Sequence, residues 1–215
     1  MFKIINKILD FIFPQFCVGC YKKETSLCDG CLSKIPLSSQ NNEPNIFSIF
    51  EYQNKIIKKA IWALKYKNNE VISSKLAQVI YDKLLEELVD LKAFNNFEKP
   101  LLIPIPLSKN RLKQRGFNQS EVIVQKLSFI DESLSPILNV LYKIKDTPSQ
   151  TSIKDKNERK LNIKDCFEIR GSEIIKNQNI ILIDDVTTTG ATLSEAKKVL
   201  IEAGAKKVIA FTVAH

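Results

Sequence analysis

The chain has 215 residues, enough for one substantial α/β core and a small accessory module. Apolar residues make up 44% of it, so folding is expected, and no apolar run is long enough for an ordinary membrane span. The formal charge of +8 favours polyanions such as pyrophosphates or nucleic acid without choosing between them.

The start, MFKIINKILDFIFPQF, reads as an amphipathic helix with Phe2, Ile5, Ile8, Leu9 and Ile12 on one side. It suits packing on the core, or contact with a membrane surface or partner. Asp10 and the missing small-residue cleavage site argue against a signal peptide. Four cysteines follow as two C-x-x-C pairs, Cys17/Cys20 and Cys28/Cys31. Such pairs read as metal ligands in a reducing compartment rather than as disulfides. Four thiolates favour tetrahedral structural zinc, with iron or a redox pair as lesser readings. Gly19 and Gly30 suit tight turns at the two knuckles. All four protein ligands are filled, so no chemistry is expected there. The polar stretch 36–45 reads as a connector, which divides the chain into a module over 1–45 and a main domain over 46–215.

Helical spacing runs from Tyr52 to Tyr66 and from Val71 to Leu88, with a break near Asn68–Asn69. Trp62 and Tyr66 on the first helix are expected in the core, with base stacking as the rarer use. Leu101–Ile105 is a short buried strand. The run from Lys109 to Arg115 reads as a basic loop whose Lys109, Arg111 and Arg115 suit a pyrophosphate. A helix is expected over Gly116–Gln125, with Asn118 and Gln119 near its cap. Strands are expected at Asn139–Tyr142 and Cys166–Ile169. The polar stretch between them, Lys143–Asn162, reads in part as a mobile loop closing over an anion. Cys166 is expected in the core, and His215, at the chain end, is a poor catalytic candidate.

The most informative run is ILIDDVTTTGAT, Ile180–Thr192. An apolar strand delivers Asp184 and Asp185 to its carboxyl end, where parallel sheets bind ligands. Thr187, Thr188, Thr189, Gly190 and Thr192 then lead into a helix whose start offers free N–H groups and a favourable dipole. Carboxylates accept hydrogen bonds from sugar hydroxyls, whereas hydroxyls and amides hold a phosphate. Acid pair plus cradle therefore reads as ribose 5-phosphate recognition. Neither a Walker loop nor a dinucleotide fingerprint occurs. Leu193, Ala196, Leu200 and Ala203 give a helix face, Gly204 ends it, and Val208–Ala214 is the last strand of a βαβ unit.

DDVTTTGAT resembles the signature of type I phosphoribosyltransferases. With it, the four-cysteine module, LKYKNN at Leu64–Asn69, PIPLSKNRLKQRGFNQ at Pro104–Gln119 and the Thr147/Gln150/Arg159/Asn162 pattern resemble the ComF/GntX group over almost the whole chain. Lys143 stands where such proteins often carry arginine. The resemblance implies a mostly parallel sheet flanked by helices, with an amino-terminal zinc-ribbon or zinc-knuckle module. It implies that Asp184 and Asp185 contact the ribose hydroxyls of phosphoribosyl pyrophosphate and, as the catalytic residues, orient the sugar and favour its developing positive charge. Lys109, Arg111 and Arg115 would engage the pyrophosphate with Mg2+. It further implies a role in natural competence, in the bacterial cytoplasm, with single-stranded DNA and a competence helicase or recombination protein as candidate partners. The competing reading is an active transferase, in which an unidentified nitrogen nucleophile displaces pyrophosphate from C1 of the ribose.

Overall fold

A computed structural model describes residues 15–38, 44–146 and 163–215. The expected amino-terminal helix, most of the polar stretch after Lys143, and Thr147, Gln150, Arg159 and Asn162 lie outside the described residues.

After a short helix α1 (Asp29–Leu32), the elements run β1 (Ile46–Phe50), α2 (Lys55–Lys67), α3 (Glu70–Asn95), β2 (Leu101–Pro104), α4 (Lys109–Arg115) and α5 (Gln119–Ile130). There follow β3 (Ser135–Pro136), β4 (Leu141–Lys143), β5 (Phe167–Ile169), β6 (Asn179–Val186), α6 (Ala191–Glu202) and β7 (Lys207–Ala214). Five strands form one parallel sheet in the order β1-β7-β6-β2-β3, and β4 and β5 form a separate antiparallel pair.

The central strand β6 is apolar from Ile180 to Ile183 because both of its faces are covered. Ile181 and Ile183 point into one core with α2, α3 and α5, while Ile180 and Leu182 point into a second with α6 and the β4–β5 pair. This two-sided burial explains why the strand shows no polar alternation. The register Leu102↔Ile181 and Ile181↔Ile209 locks β6 between β2 and β7. Both neighbours are therefore parallel and bring their carboxyl ends to one edge.

Asparagines punctuate the helices. Asn54 caps α2 by accepting from Ile56 N at 2.8 Å, Asn68 ends it in the left-handed conformation, and Asn69 caps α3 through Ile72 N at 3.0 Å. Asn118 caps α5 and donates to Ile105 O at 3.0 Å, which fixes the segment between β2 and α5 against the sheet.

Two sequence expectations need correction, and one strand had no counterpart among them. Lys109–Arg115 is a helix, not a loop, closed by Gly116 at φ +79°. Trp62 and Tyr66 are not core residues; they are 53% and 57% exposed. Ile46–Phe50 is a strand that adds an edge to the sheet, with Ser48 Oγ and Thr212 Oγ1 2.8 Å apart across it. No described helix is long and apolar enough to cross a membrane.

Candidate functional site

The carboxyl ends of β2 and β6 open into a cavity of about 590 Å³. Its floor carries Asp184, Asp185, Thr188 and Thr192. Ser108, Arg111 and Arg115 come in from the β2–α4 side, and Lys143 from β4. Lys65, Trp62 and Tyr66 of α2 form the opposite wall.

Each acid is held by the protein. Asp184 Oδ1 accepts from Ser120 Oγ at 3.0 Å and from the Asp185 backbone N at 2.8 Å. Asp185 Oδ2 pairs with Lys65 Nζ at 2.7 Å. Burial, with the neighbouring Asp185 carboxylate, pushes the Asp184 carboxyl up to about 7. Burial alone would lower Lys65, but Asp185 and then Asp184 hold it above its ordinary value. Lys143 goes the other way: burial lowers it.

The threonine loop divides its labour. Thr187 is buried and accepts from Gly190 N at 3.2 Å, so it shapes the loop. Gly190 takes φ +70°, which only glycine adopts freely, and starts α6. Thr188 and Thr192 line the cavity. The hydroxyls of Thr189 and Ser108 are buried without a hydrogen-bond partner. An orphaned buried hydroxyl is costly unless something pairs it, and an anion in the cradle is suited to do so. His215 supports the loop from below, its Nδ1 3.4 Å from Thr187 O.

Of the three basic residues expected at the pyrophosphate, Arg111 and Arg115 line the cavity, and Arg115 Nη1 donates to Gln119 Oε1 at 2.8 Å. Lys109 is exposed on the outer side of α4 and does not line it. The helical turn separates them: Lys109 cannot share the inward face with both arginines. The residues that sequence reasoning missed are Lys65, Ser108 and Ser120. Lys65 had a signal, since it sits in LKYKNN at the end of an otherwise apolar helix face.

The four-cysteine cluster is separate. The sulfurs of Cys17, Cys20, Cys28 and Cys31 all lie within 4.8 Å of one another, with Cys17 Sγ 3.6 Å and Cys20 Sγ 3.7 Å from Cys28 Sγ. A tetrahedron with ~2.3 Å metal–sulfur bonds has edges of about 3.8 Å, so the donor set fits one metal ion. Burial raises the Cys17 thiol, but backbone N–H groups of Cys20, Cys28 and Gly19 outweigh it and bring it to about 6. Gly19 is needed for closeness rather than for a turn: a Cβ there would stand 2.7 Å from Cys31 Sγ. Gly30 has open space around it. Cys166 is buried in the second core, where burial pushes its thiol up, as an inert core residue should.

A parallel sheet carrying an acid pair and a threonine-glycine loop at its carboxyl edge is a phosphoribosyltransferase-type domain. The family model described as "Phosphoribosyl transferase domain" matches residues 112–215. Competence protein F of Haemophilus influenzae is 29% identical over 89% of this chain and 86% of its own length. Competence protein ComFC of Streptococcus pneumoniae is 36% identical over 64% of this chain and 56% of its own. DNA utilization protein YhgH of Escherichia coli K12 is 26% identical over 84% and 74%. Together with the four-cysteine module, these likenesses support a ComF-family protein.

Proposed function

We propose that this protein is a competence-associated factor that binds phosphoribosyl pyrophosphate. The observation that carries the reading is the acid pair beside the threonine loop, with one unpaired buried hydroxyl, Ser108, lining the same cavity and another, Thr189, within the loop itself. Asp184 and Asp185 accept from the ribose hydroxyls. Thr187, Thr188, Thr189, Gly190 and Thr192 form the 5-phosphate cradle, and Arg111, Arg115 and Lys143 face the diphosphate. Lys109 adds only long-range positive potential. Mg2+ rides on the diphosphate and spreads its charge, because both acids already commit an oxygen to Ser120 or Lys65. Zinc is the proposed occupant of the four-cysteine module. The test of the competence role is genetic. In a transformable bacterium lacking its ComF-family gene, the wild-type chain restores transformation frequency and Asp184→Asn/Asp185→Asn does not. Full restoration by the double variant would remove the site from the role.

A second reading follows from the α2 wall. Trp62 and Tyr66 are exposed, their ring centroids are 5.5 Å apart, and Lys67 and Arg115 each lie 5.4 Å from one ring. Lys59 lies 5.1 Å from the ring of Tyr21 on the metal module, which extends the ridge. Alternating rings and cations suit a single-stranded DNA base and its phosphates. Trp62→Ala/Tyr66→Ala is expected to weaken single-stranded DNA binding about 10-fold or more, from roughly 1–3 kcal/mol per stacked base. Fluorescence anisotropy at several salt concentrations measures it, and unchanged affinity would remove DNA from the ridge. The transferase alternative places a free nitrogen base against the same rings. Pyrophosphate release on adding candidate bases, without DNA, would favour it instead.

A further inference from the structure

Two adjacent carboxylates at one strand end repel each other strongly when partly dry. Either a cation offsets them or one takes up a proton. The cation in direct contact comes from α2. Lys65 is 22% exposed and Asp185 5%, and they meet at 2.7 Å. The pair lies inside the cavity, between Ile61, Trp62 and Tyr66 on the helix side and Asp184 on the strand side. It therefore ties the cavity-facing side of α2 to the end of β6. The other charged groups lining the cavity are Lys58 of α2, Arg111 and Arg115 of α4 and Lys143 of β4; the polar ones beside the acids include Ser120 and Gln119 of α5, Thr188 of the loop and Thr192 of α6.

We propose that Lys65 is a positioning residue for the ribose site: its ammonium aims Asp185 at the sugar and offsets the joint charge of the acid pair. This rests on the phosphoribosyl pyrophosphate reading. Both acids then become available as hydrogen-bond acceptors once the pH passes about 7. Without Lys65 the pair holds a proton more tightly, and one acceptor is lost until the pH rises. A lysine with a merely structural role has no such pH signature.

The experiment uses the metal-loaded full chain. Lys65→Met is expected to bind phosphoribosyl pyrophosphate with Mg2+ about 10-fold or more weakly at pH 7 and to recover much of the loss by pH 9. Lys65→Arg, which keeps the charge, retains most of the affinity. Lys65→Gln serves if the methionine variant does not fold. Side-chain carboxylate NMR of the ligand-free protein gives an independent readout, in which the Asp184/Asp185 titration moves to higher pH in the variant. An unchanged carboxylate titration overturns the proposal, and so does an affinity loss equal at every pH that arginine does not rescue. If the wild type fails to bind the ligand, the ribose reading falls on that arm alone, while the NMR arm still decides whether Lys65 offsets the pair.

Discussion

The double variant Asp184→Asn/Asp185→Asn loses phosphoribosyl pyrophosphate binding by about two orders of magnitude or more, while keeping its fold and its cysteine module. Two carboxylate hydrogen bonds to sugar hydroxyls at roughly 1.5–3 kcal/mol each account for that size. The single variants separate the two acids, because the protein treats them oppositely. Asp184 has its carboxyl raised to about 7 by burial and by Asp185. The folded state therefore holds that proton more tightly than the unfolded chain. The associated stability is fully present below about pH 4 and is lost as pH rises towards 7. Asp184→Asn removes the loss, so its Tm advantage over wild type grows from pH 4 to pH 7 and then levels off, reaching several degrees. Asp185→Asn does the reverse: it leaves the Lys65 ammonium without its 2.7 Å partner and lowers Tm. Differential scanning calorimetry across that pH range checks both signs. Equal shifts in the two variants would show that the acids are not distinguished by Lys65.

Removing the proposed zinc from the four-cysteine module has the second large effect. Cys17, Leu27, Cys31 and Ile35 belong to the same buried cluster as Ile57, Ile61 and Leu64 of α2. Asn69 Nδ2 also donates to Ser26 Oγ at 2.7 Å, and Lys75 pairs with Asp29. The module is thus one wall of the main core. Without metal, nothing covalent ties the four sulfurs together, and that wall loosens. A strong chelator is expected to lower Tm by about 10 °C or more, since bound metal supplies several kcal/mol and each shifts Tm by roughly 2–4 °C in a chain of this size. Because α2 also carries Lys65 and Trp62, ligand affinity falls with it. Gly19→Ala, which pushes a Cβ against Cys31 Sγ, should reproduce part of the effect by weakening metal retention. Metal content by atomic emission, read beside Tm, checks it. An unchanged Tm in metal-free protein would make the module independent of the core.

The sheet was legible where apolar runs were bounded by strong signals. Ile180–Ile183 ends in two acids, Leu101–Pro104 ends in prolines, and Asn68–Asn69 breaks two periodic helices. The strand Ile46–Phe50 lacked such bounds and follows a polar connector, so nothing in the run itself separates it from the connector's end. The basic segment looked like a loop because six of the seven residues from Lys109 to Arg115 are polar. It is helical because Gly116 closes it and only Arg111 and Arg115 need to face inward. Trp62 and Tyr66 fit a core by residue type. Yet the core face of α2 belongs to Ile57, Ala60, Ile61 and Leu64, and the rings fall on the cavity side. The acid pair and threonine loop were readable from chemistry alone. The Lys65 contact was not, because it joins residues 120 positions apart.

Isothermal titration of the metal-loaded full chain, in Mg2+ and near pH 8, tests the central claim most directly. Phosphoribosyl pyrophosphate should bind saturably at one site, ribose 5-phosphate more weakly, and pyrophosphate alone more weakly than the intact ligand. The cavity joins an acid pair and cradle for the sugar phosphate to Arg111, Arg115 and Lys143 for the diphosphate. Pyrophosphate alone binding as tightly as the whole ligand, or no saturable heat with any of the three, would contradict a ribose-phosphate site built on Asp184, Asp185 and the threonine loop.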